Sequence, residues 1–176
     1  MAGEPLVVQL FHLRLSASAR AVTLAFLAPD QVALLEGHTL AFERLGGVPA
    51  RIRYDNLAAA VTRVLAGRDR IETDRFTALR SHYGFESFFC EPGARGAHEK
   101  GGVEGEVGRF RRRHLVPVPR VAGLAELDRR LAAADATDER RHVAGRRETV
   151  GAAFAQERPQ LRPLPDEPFE AALPLR

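Results

Sequence analysis

The sequence predicts a mixed α/β domain built in layers, and three observations support this fold class. An apolar hairpin pattern stands near the start of the chain, where two strand-like segments flank a turn of small residues. Amphipathic segments follow, with apolar residues three or four positions apart, as in helices that pack on a core. Further strands alternate with these helices, which predicts parallel pairing of the later strands beside an antiparallel edge.

The first half of the chain predicts three strands and one helix. Leu6–Leu15 and Arg20–Phe26 form the predicted hairpin, and Arg51–Tyr54 is a short third strand. Asp30 is a suitable N-cap for a helix that ends at the glycine pair 46–47. The apolar stripe of this helix is expected to consist of Val32, Leu35, Leu40, Phe42 and Leu45.

The middle of the chain predicts two more helices and a fourth strand. We expect helices over Leu57–Leu65 and Asp74–Tyr83, a polar loop over Asp69–Thr73 between them, and a strand over Phe85–Cys90. A glycine-rich loop over residues 91–102 then leads into the next helix.

The last part of the chain is predicted to be helical and then extended. Helices are expected from about Gly102 to His114, around Leu124, Leu127 and Leu131, and over Val150–Glu157. Five of the eleven prolines lie between Pro159 and Arg176, so this tail is expected to be extended and outside the core.

Composition excludes several classes of protein. The 176 residues are 45% hydrophobic and 28% charged, which is typical of a globular domain. The longest apolar stretch, Ala21–Pro29, is too short to span a bilayer, and the first residues do not resemble a signal peptide. Cys90 is the only cysteine, which excludes an internal disulfide and a cysteine-rich zinc site. We therefore expect a cytoplasmic protein with no membrane partner.

Arginine dominates the positive charge. There are 26 basic residues against 23 acidic ones, a net charge of +3, and every basic residue except Lys100 is arginine. A genome rich in G and C explains most of this bias. The cluster of Arg109, Arg111, Arg112 and Arg113 is nevertheless a candidate phosphate-binding surface, although +3 is too small to indicate nucleic acid by itself.

Two carboxylates occupy positions typical of metal ligands. Asp55 follows a short strand, and ligands collect beyond the carboxyl ends of strands in open α/β sheets. Glu104 lies in the first turn of a predicted helix, and Lys100 precedes it by one turn, on the same side as Arg111. The alternative is a turn at Asp55, a favourable helix start at Glu104 and a solvated ion pair. From the residues alone, this alternative is the better one.

Several motifs, in the same order, resemble one known family. They are similar to segments of IstA-type insertion-sequence transposases, and the resemblance covers nearly the whole chain: 46–57 (GGVPARIRYDNL), 82–85 (HYGF), 90–92 (CEP), 99–104 (EKGGVE), 109–113 (RFRRR), 124–127 (LAEL) and 150–165. The last of these segments resembles the linker that follows the catalytic core.

The resemblance implies an RNase H-like integrase core, a mixed sheet flanked by helices, here lacking its first strand and followed by a helical linker. It implies an Asp-Asp-Glu triad that binds two Mg²⁺ or Mn²⁺ ions and cuts and joins DNA. On this mapping Asp55 is the second aspartate and Glu104 the glutamate, both metal ligands. Lys100 contacts DNA, and Asn56 supports Asp55. The implied partners are DNA, further copies of the chain and a helper AAA+ ATPase.

The resemblance also predicts boundaries and a catalytic defect. The expected parts are a truncated core over 1–116, a helical post-catalytic region over 117–158 and a proline-rich tail over 159–176. The family's first catalytic aspartate lies on a strand before the hairpin, but no Asp precedes Asp30 here. We therefore expect weak metal binding and little or no catalysis by this chain alone. The alternatives are a non-catalytic regulator that binds DNA or transposase subunits, and an inert remnant of a decayed element.

Overall fold

A computed structural model describes residues 3–54, 61–64, 70–90 and 97–172, with no description of the side chains of 61–64, 70–71 and 97–104. In chain order its elements are β1 (Gln9–Arg14), β2 (Ala21–Phe26), α1 (Gln31–Leu45), β3 (Arg51–Tyr54), β4 (Val61–Val64), β5 (Arg70–Glu72), α2 (Asp74–Tyr83), β6 (Glu86–Phe89), α3 (Ala97–His114), α4 (Leu124–Asp138), α5 (Val150–Glu157) and a 3-10 turn (Arg158–Gln160).

The chain forms two compact units, which we describe separately. The hairpin unit consists of Met1–Ala28 and Gly105–Gln160, and the parallel unit consists of Pro29–Glu104 and Leu161–Arg176. Among the described residues the strands form three two-stranded sheets, β1 with β2, β3 with β6, and β4 with β5.

The hairpin unit contains the predicted antiparallel pair. Gln9 lies opposite Phe26 and Arg14 opposite Ala21, which confirms the predicted antiparallel hairpin. Helix α4 lies along β2, and its apolar face contributes Leu127 and Leu131 to the core. The predicted amphipathic helix of this region is therefore confirmed.

Two aspartates of α4 bind the outer edge of β2. The Asp135 carboxylate accepts from the Thr23 N–H at 2.7 Å and from the Thr23 hydroxyl at 2.9 Å, and Asp128 accepts from the Ala25 N–H at 3.0 Å. The two aspartates are seven residues apart, so both face the strand from one side of the helix. The helix thereby satisfies N–H groups that an edge strand otherwise leaves unpaired.

The parallel unit begins with α1, whose predicted ends are confirmed. The Asp30 carboxylate accepts from the Ala33 N–H at 2.8 Å, and Gly46 ends the helix in the left-handed region at φ 71°. The predicted stripe was partly wrong, because Val32 is 43% exposed and Leu40 only half-buried. The 3.6-residue period instead buries Leu34, Leu35, His38, Ala41, Phe42 and Leu45.

Strands β3 and β6 pair in parallel, with Arg51 opposite Glu86 and Tyr54 opposite Phe89, as predicted for the later strands. Helix α2 precedes β6 and spans Asp74–Tyr83 as predicted, with Thr73 as its N-cap and Gly84 as its C-cap. This connection brings the carboxyl ends of β3 and β6 to the same edge.

Three predictions about the middle of the chain were wrong. Residues 61–64 form strand β4 and not part of a helix, while residues 57–60 and 65 of the predicted helix lie outside the described residues. Residues 70–72 form β5 and not a loop, pairing antiparallel with β4. The β-branched residues Val61, Val64 and Ile71 favour strands over the predicted helix and loop. Helix α3 begins at Ala97 and not near Gly102, so it contains four glycines, at positions 101, 102, 105 and 108.

The proline-rich tail contributes no buried residue over 161–172, in agreement with the prediction that it lies outside the core, but it packs on the surface of the parallel unit. Val48 and Arg162 exchange two backbone hydrogen bonds of 2.9 Å, and the Phe169 N–H donates to the Tyr83 hydroxyl at 3.2 Å. Gly47 allows this close approach, since a β-carbon there would lie 2.7 Å from Cβ of Leu161. Non-proline residues between the prolines supply the N–H groups and apolar contacts. The predicted domain boundaries themselves stay a prediction.

Candidate catalytic and nucleic-acid-binding site

The chain reaches the first candidate metal ligand at the end of β3. Ile52 and Tyr54 are buried while Arg51 and Arg53 are exposed, so the strand alternates between a core face and a solvent face. Asp55 follows Tyr54 directly in the sequence, and Asp55 and Asn56 themselves lie outside the described residues. The position after a parallel strand is where ligands collect in α/β proteins.

Tyr54 is held at its side chain and at its backbone. Its hydroxyl lies 2.8 Å from Nε2 of His38, and its carbonyl accepts from the Cys90 N–H at 2.9 Å. Its ring packs edge-on against Phe76, with centroids 5.4 Å apart, and tilted against Phe89 at 5.6 Å. The last residue of β3 is therefore fixed from three directions.

His38 is a neutral imidazole inside this aromatic cluster. It is 1% exposed, and burial lowers its pKa to about 4. Nδ1 lies 2.7 Å from the Leu34 carbonyl, which only a protonated Nδ1 can satisfy, so Nε2 is the acceptor for the Tyr54 hydroxyl. Burial also raises the pKa of Tyr54, which keeps the hydroxyl a donor.

Sequence reasoning missed this His38–Tyr54 pair. A signal was available, because His38 stands four residues after Leu34 and four before Phe42, on the buried face of α1. The spacing places a histidine in a core, but it does not name the tyrosine of another element as its partner.

Glu104 and Lys100 both lie in α3, one turn apart as predicted, and their side chains are not described. Asp55 and the Glu104 side chain both lie outside what the structure describes, so their pairing stays a prediction. Among the described side chains, no group of three or more His, Cys, Asp or Glu residues is arranged to hold a metal ion.

The arginine cluster divides into two kinds of side chain. Arg111, Arg112 and Arg113 are exposed in the last turn of α3, and none of them has an acidic partner within the part of the chain whose side chains are described. Positive charge at a helix C-terminus also stabilises the helix, so the position alone does not require a ligand.

Arg109 points inward to an ion network of the hairpin unit. It pairs with Asp138 and, at 3.3 Å, with Glu106, and its side chain is 26% exposed. Arg141 reaches Glu106 at 2.9 Å, and His114 reaches Asp138 at 3.0 Å. Burial opposes the charge of Asp138, but hydrogen bonds from Arg109 and His114 lower its pKa below the usual value. Arg109 is thus separated from the exposed arginines.

No protein-family model matches the chain, but curated transposases do. The transposase for insertion sequences IS1326/IS1353 of Pseudomonas aeruginosa is 35% identical over 170 residues, which cover 94% of this chain and 32% of that protein. This chain is homologous to insertion-sequence transposases. A transposase of Aminobacter aminovorans is 38% identical over 126 residues, covering 72% of this chain and 24% of its own length. The Pseudomonas aeruginosa transposase for insertion sequence element IS21 is 32% identical over 151 residues, which cover 84% of this chain and 38% of that protein.

Solved structures show the same fold for this transposase homologue. The simian T-cell lymphotropic virus intasome with a PP2A regulatory subunit aligns with a TM-score of 0.59 at 14% identity, covering 96% of this chain and 57% of that one. The HTLV-2 integrase catalytic core domain, solved in complex with magnesium, aligns with a TM-score of 0.53 at 14% identity. The alignment covers 84% of this chain and 93% of that one. The predicted RNase H-like integrase core fold is confirmed.

The chain spans between 24% and 38% of the length of the three transposases it matches. None of the helices within the described residues is long and apolar enough to cross a membrane.

Proposed function

We propose that this chain is the part of a transposase core that supplies two carboxylates, Asp55 and Glu104, to a DNA-cutting and strand-transferring site. The observation that carries the proposal is 35% identity to a transposase over 170 residues. The integrase-core fold and the position of Asp55 directly after β3 agree with it.

The donor set suits a divalent metal in kind. Carboxylate oxygens are the ligands that Mg²⁺ prefers, and it commonly takes one or two of them together with substrate phosphates. Asp55 and Glu104 would hold the ion, with Asn56 supporting Asp55. A bound Mg²⁺ or Mn²⁺ supplies water activation and charge stabilisation at phosphate.

The exposed end of α3 is the proposed DNA surface. Arg111, Arg112 and Arg113 carry three positive charges in adjacent positions, and guanidinium groups pair well with phosphate. Lys100 is proposed to contact DNA near the carboxylates. Arg109 is the weaker candidate because its guanidinium already pairs with Asp138 and Glu106.

The proposal does not give these 176 residues catalysis on their own. No aspartate stands before Asp30, and we propose that these residues supply two of the three carboxylates. Non-catalytic DNA binding is the second candidate function, favoured by the three exposed arginines of α3. Assembly of several copies on DNA and an AAA+ ATPase partner complete the proposal.

Duplex DNA binding at several salt concentrations tests the proposed surface. Replacing Arg111, Arg112 and Arg113 by Ala should weaken binding and reduce the slope of log K against log salt by up to about 2.7, because each lost phosphate contact removes about 0.9. A charge-matched control replaces the exposed Arg140, Arg147 and Arg158 and should change the slope less. Equal slopes for both triple variants would contradict the assignment.

Strand transfer with Mg²⁺ or Mn²⁺ tests the catalytic part. We expect no product from the 176 residues alone. If the 176 residues alone do give product, a third carboxylate is not needed. If Asp55→Asn then abolishes that activity, the result supports the assignment of Asp55.

A further inference from the structure

We infer that a proline-containing loop of one copy of this chain docks into an acidic groove of a second copy. The docking loop, residues 115–121, lies between α3 and α4 in the hairpin unit, and the acidic groove lies between α1 and the tail in the parallel unit. The inference rests on the proposed assembly of several copies, and it names the two surfaces that meet.

The acidic groove combines carboxylates with apolar side chains. It has a volume of about 340 Å³, and Glu36, Leu40 and Glu43 line it from α1 while Phe169 lines it from the tail. The two glutamates are seven positions apart, so two turns of α1 place them on one side of the helix. Both are exposed, and neither carboxylate forms an ion pair within the described residues. The groove therefore favours a partner that brings positive charge and apolar surface together.

The tail wall of the acidic groove is held in place. The Phe169 N–H donates to the Tyr83 hydroxyl at 3.2 Å, and the Arg75 guanidinium donates to the carbonyls of Glu170 and Ala171. The same guanidinium lies 5.0 Å from the centre of the Phe169 ring. A groove whose wall is already fixed loses little conformational entropy when a partner binds.

The docking loop carries the complementary chemistry. Val116 is 67% exposed and Val118 is 85% exposed, and the exposed Arg113 and Arg120 stand on either side of them. No acidic residue lies anywhere in 111–123. Among the large apolar residues that are exposed in the described part of the chain, only these two valines have an arginine within five residues on both sides.

Charge and polarity pair the two surfaces. The loop presents valines beside arginines, and the groove presents Leu40 and Phe169 beside glutamates. Two grooves repel each other, as do two loops, so the charges favour a loop against a groove. Pro117 and Pro119 each fix one backbone dihedral angle of the loop, which reduces the entropy lost on docking. The small area of both surfaces predicts a weak contact, which DNA would strengthen by holding several copies close together.

Sedimentation velocity of the 176-residue chain measures self-association from about 1 μM to about 1 mM, the range of weak contacts. The groove variant, Glu36→Arg with Glu43→Arg, places positive charge opposite the arginines of the loop. The loop variant, Val116→Ser with Val118→Ser, removes the apolar contact but keeps the arginines. Each variant should raise the dissociation constant about tenfold or more. All four side chains are exposed, so neither variant disturbs the core.

Matched controls carry the same changes elsewhere. Glu4→Arg with Glu148→Arg reverses two exposed acids outside the groove. Leu6→Ser with Val7→Ser removes two apolar side chains that are 71% and 78% exposed. Both controls should associate as the parent chain does. Controls that lose association as much as the groove and loop variants would show a general effect of charge or hydrophobicity and would overturn the assignment of these surfaces.

A mixture of the two variants tests whether the loop meets the groove. The groove variant retains an intact loop and the loop variant retains an intact groove, so an equal mixture should form dimers that neither variant forms alone. A mixture that stays monomeric while the parent associates would overturn the inference, and so would a parent that stays monomeric up to about 1 mM. No DNA or metal is present in this measurement. A negative result therefore leaves the proposed carboxylates and DNA surface to their own tests, and failure of those tests leaves the self-association unchanged.

Discussion

The contact between α4 and the edge of β2 gives the sharpest stability prediction. Asp135 is 4% exposed and Thr23 is fully buried, and the carboxylate accepts from both the N–H and the hydroxyl of Thr23. Asp135→Ala leaves a buried backbone N–H without this acceptor, and one such group costs about 1–3 kcal/mol. With the second hydrogen bond lost as well, at about 1 kcal/mol, we expect the free energy of unfolding to fall by about 2–4 kcal/mol.

Urea unfolding followed by circular dichroism measures this loss, with Asp128→Ala as the matched control. Asp128 accepts one hydrogen bond, from the Ala25 N–H at 3.0 Å, and it is only half-buried. Its loss should cost about 0.5–1.5 kcal/mol, the value of a single ordinary hydrogen bond. Asp135→Asn, which keeps one acceptor oxygen, should fall between the two alanine variants.

The order of the free energies of unfolding among these variants tests the role of the hydrogen bonds to β2. If Asp135→Ala is as stable as the parent, or Asp128→Ala is the more damaging of the two, the hydrogen bonds to β2 do not stabilise the hairpin unit. The reasoning also predicts that Asp135→Ala exposes an unpaired strand edge and aggregates at lower protein concentration, measurable by light scattering.

Two further predictions concern a glycine contact and pH. Gly47→Ala should destabilise the chain by about 1–3 kcal/mol, the usual effect of overpacking, because the new β-carbon would lie 2.7 Å from Cβ of Leu161. Gly105→Ala is the control, because a β-carbon at Gly105 in α3 would have no atom within 4 Å, and it should stabilise the chain by up to about 1 kcal/mol. A higher melting temperature for Gly47→Ala than for Gly105→Ala would contradict the packing argument. Burial lowers the pKa of both His12 and His38 from the ordinary 6.5 to about 4. Between pH 6.5 and about pH 4 the unfolded chain therefore binds more protons than the folded chain. The free energy of unfolding should therefore fall as pH falls through this window, by up to about 3 kcal/mol per histidine, and urea midpoints that do not change between pH 7 and pH 4 would refute it.

Local patterns in the sequence were enough for much of the fold. The Asp30 N-cap, the Gly46 C-cap and the hairpin of β1 and β2 depend on neighbours in the chain, and all three are seen as predicted. The ordered motifs were enough to find the similarity to insertion-sequence transposases, and the homologues and the integrase-core fold agree. The pairing of Asp55 with Glu104 stays a prediction, since it joins segments that the motifs place only in order.

What only the tertiary structure decided involves partners distant in sequence. Thr23 meets Asp135 across 112 positions, and the tail returns to pair with Val48 through Arg162. Periodicity shows which face of an element is buried, but a face does not name what it packs against. For the same reason one run of basic residues contained both Arg109, turned into an ion network, and Arg111, exposed to solvent. Spacing along a chain determines local geometry, whereas the assignment of partners depends on how elements meet in space.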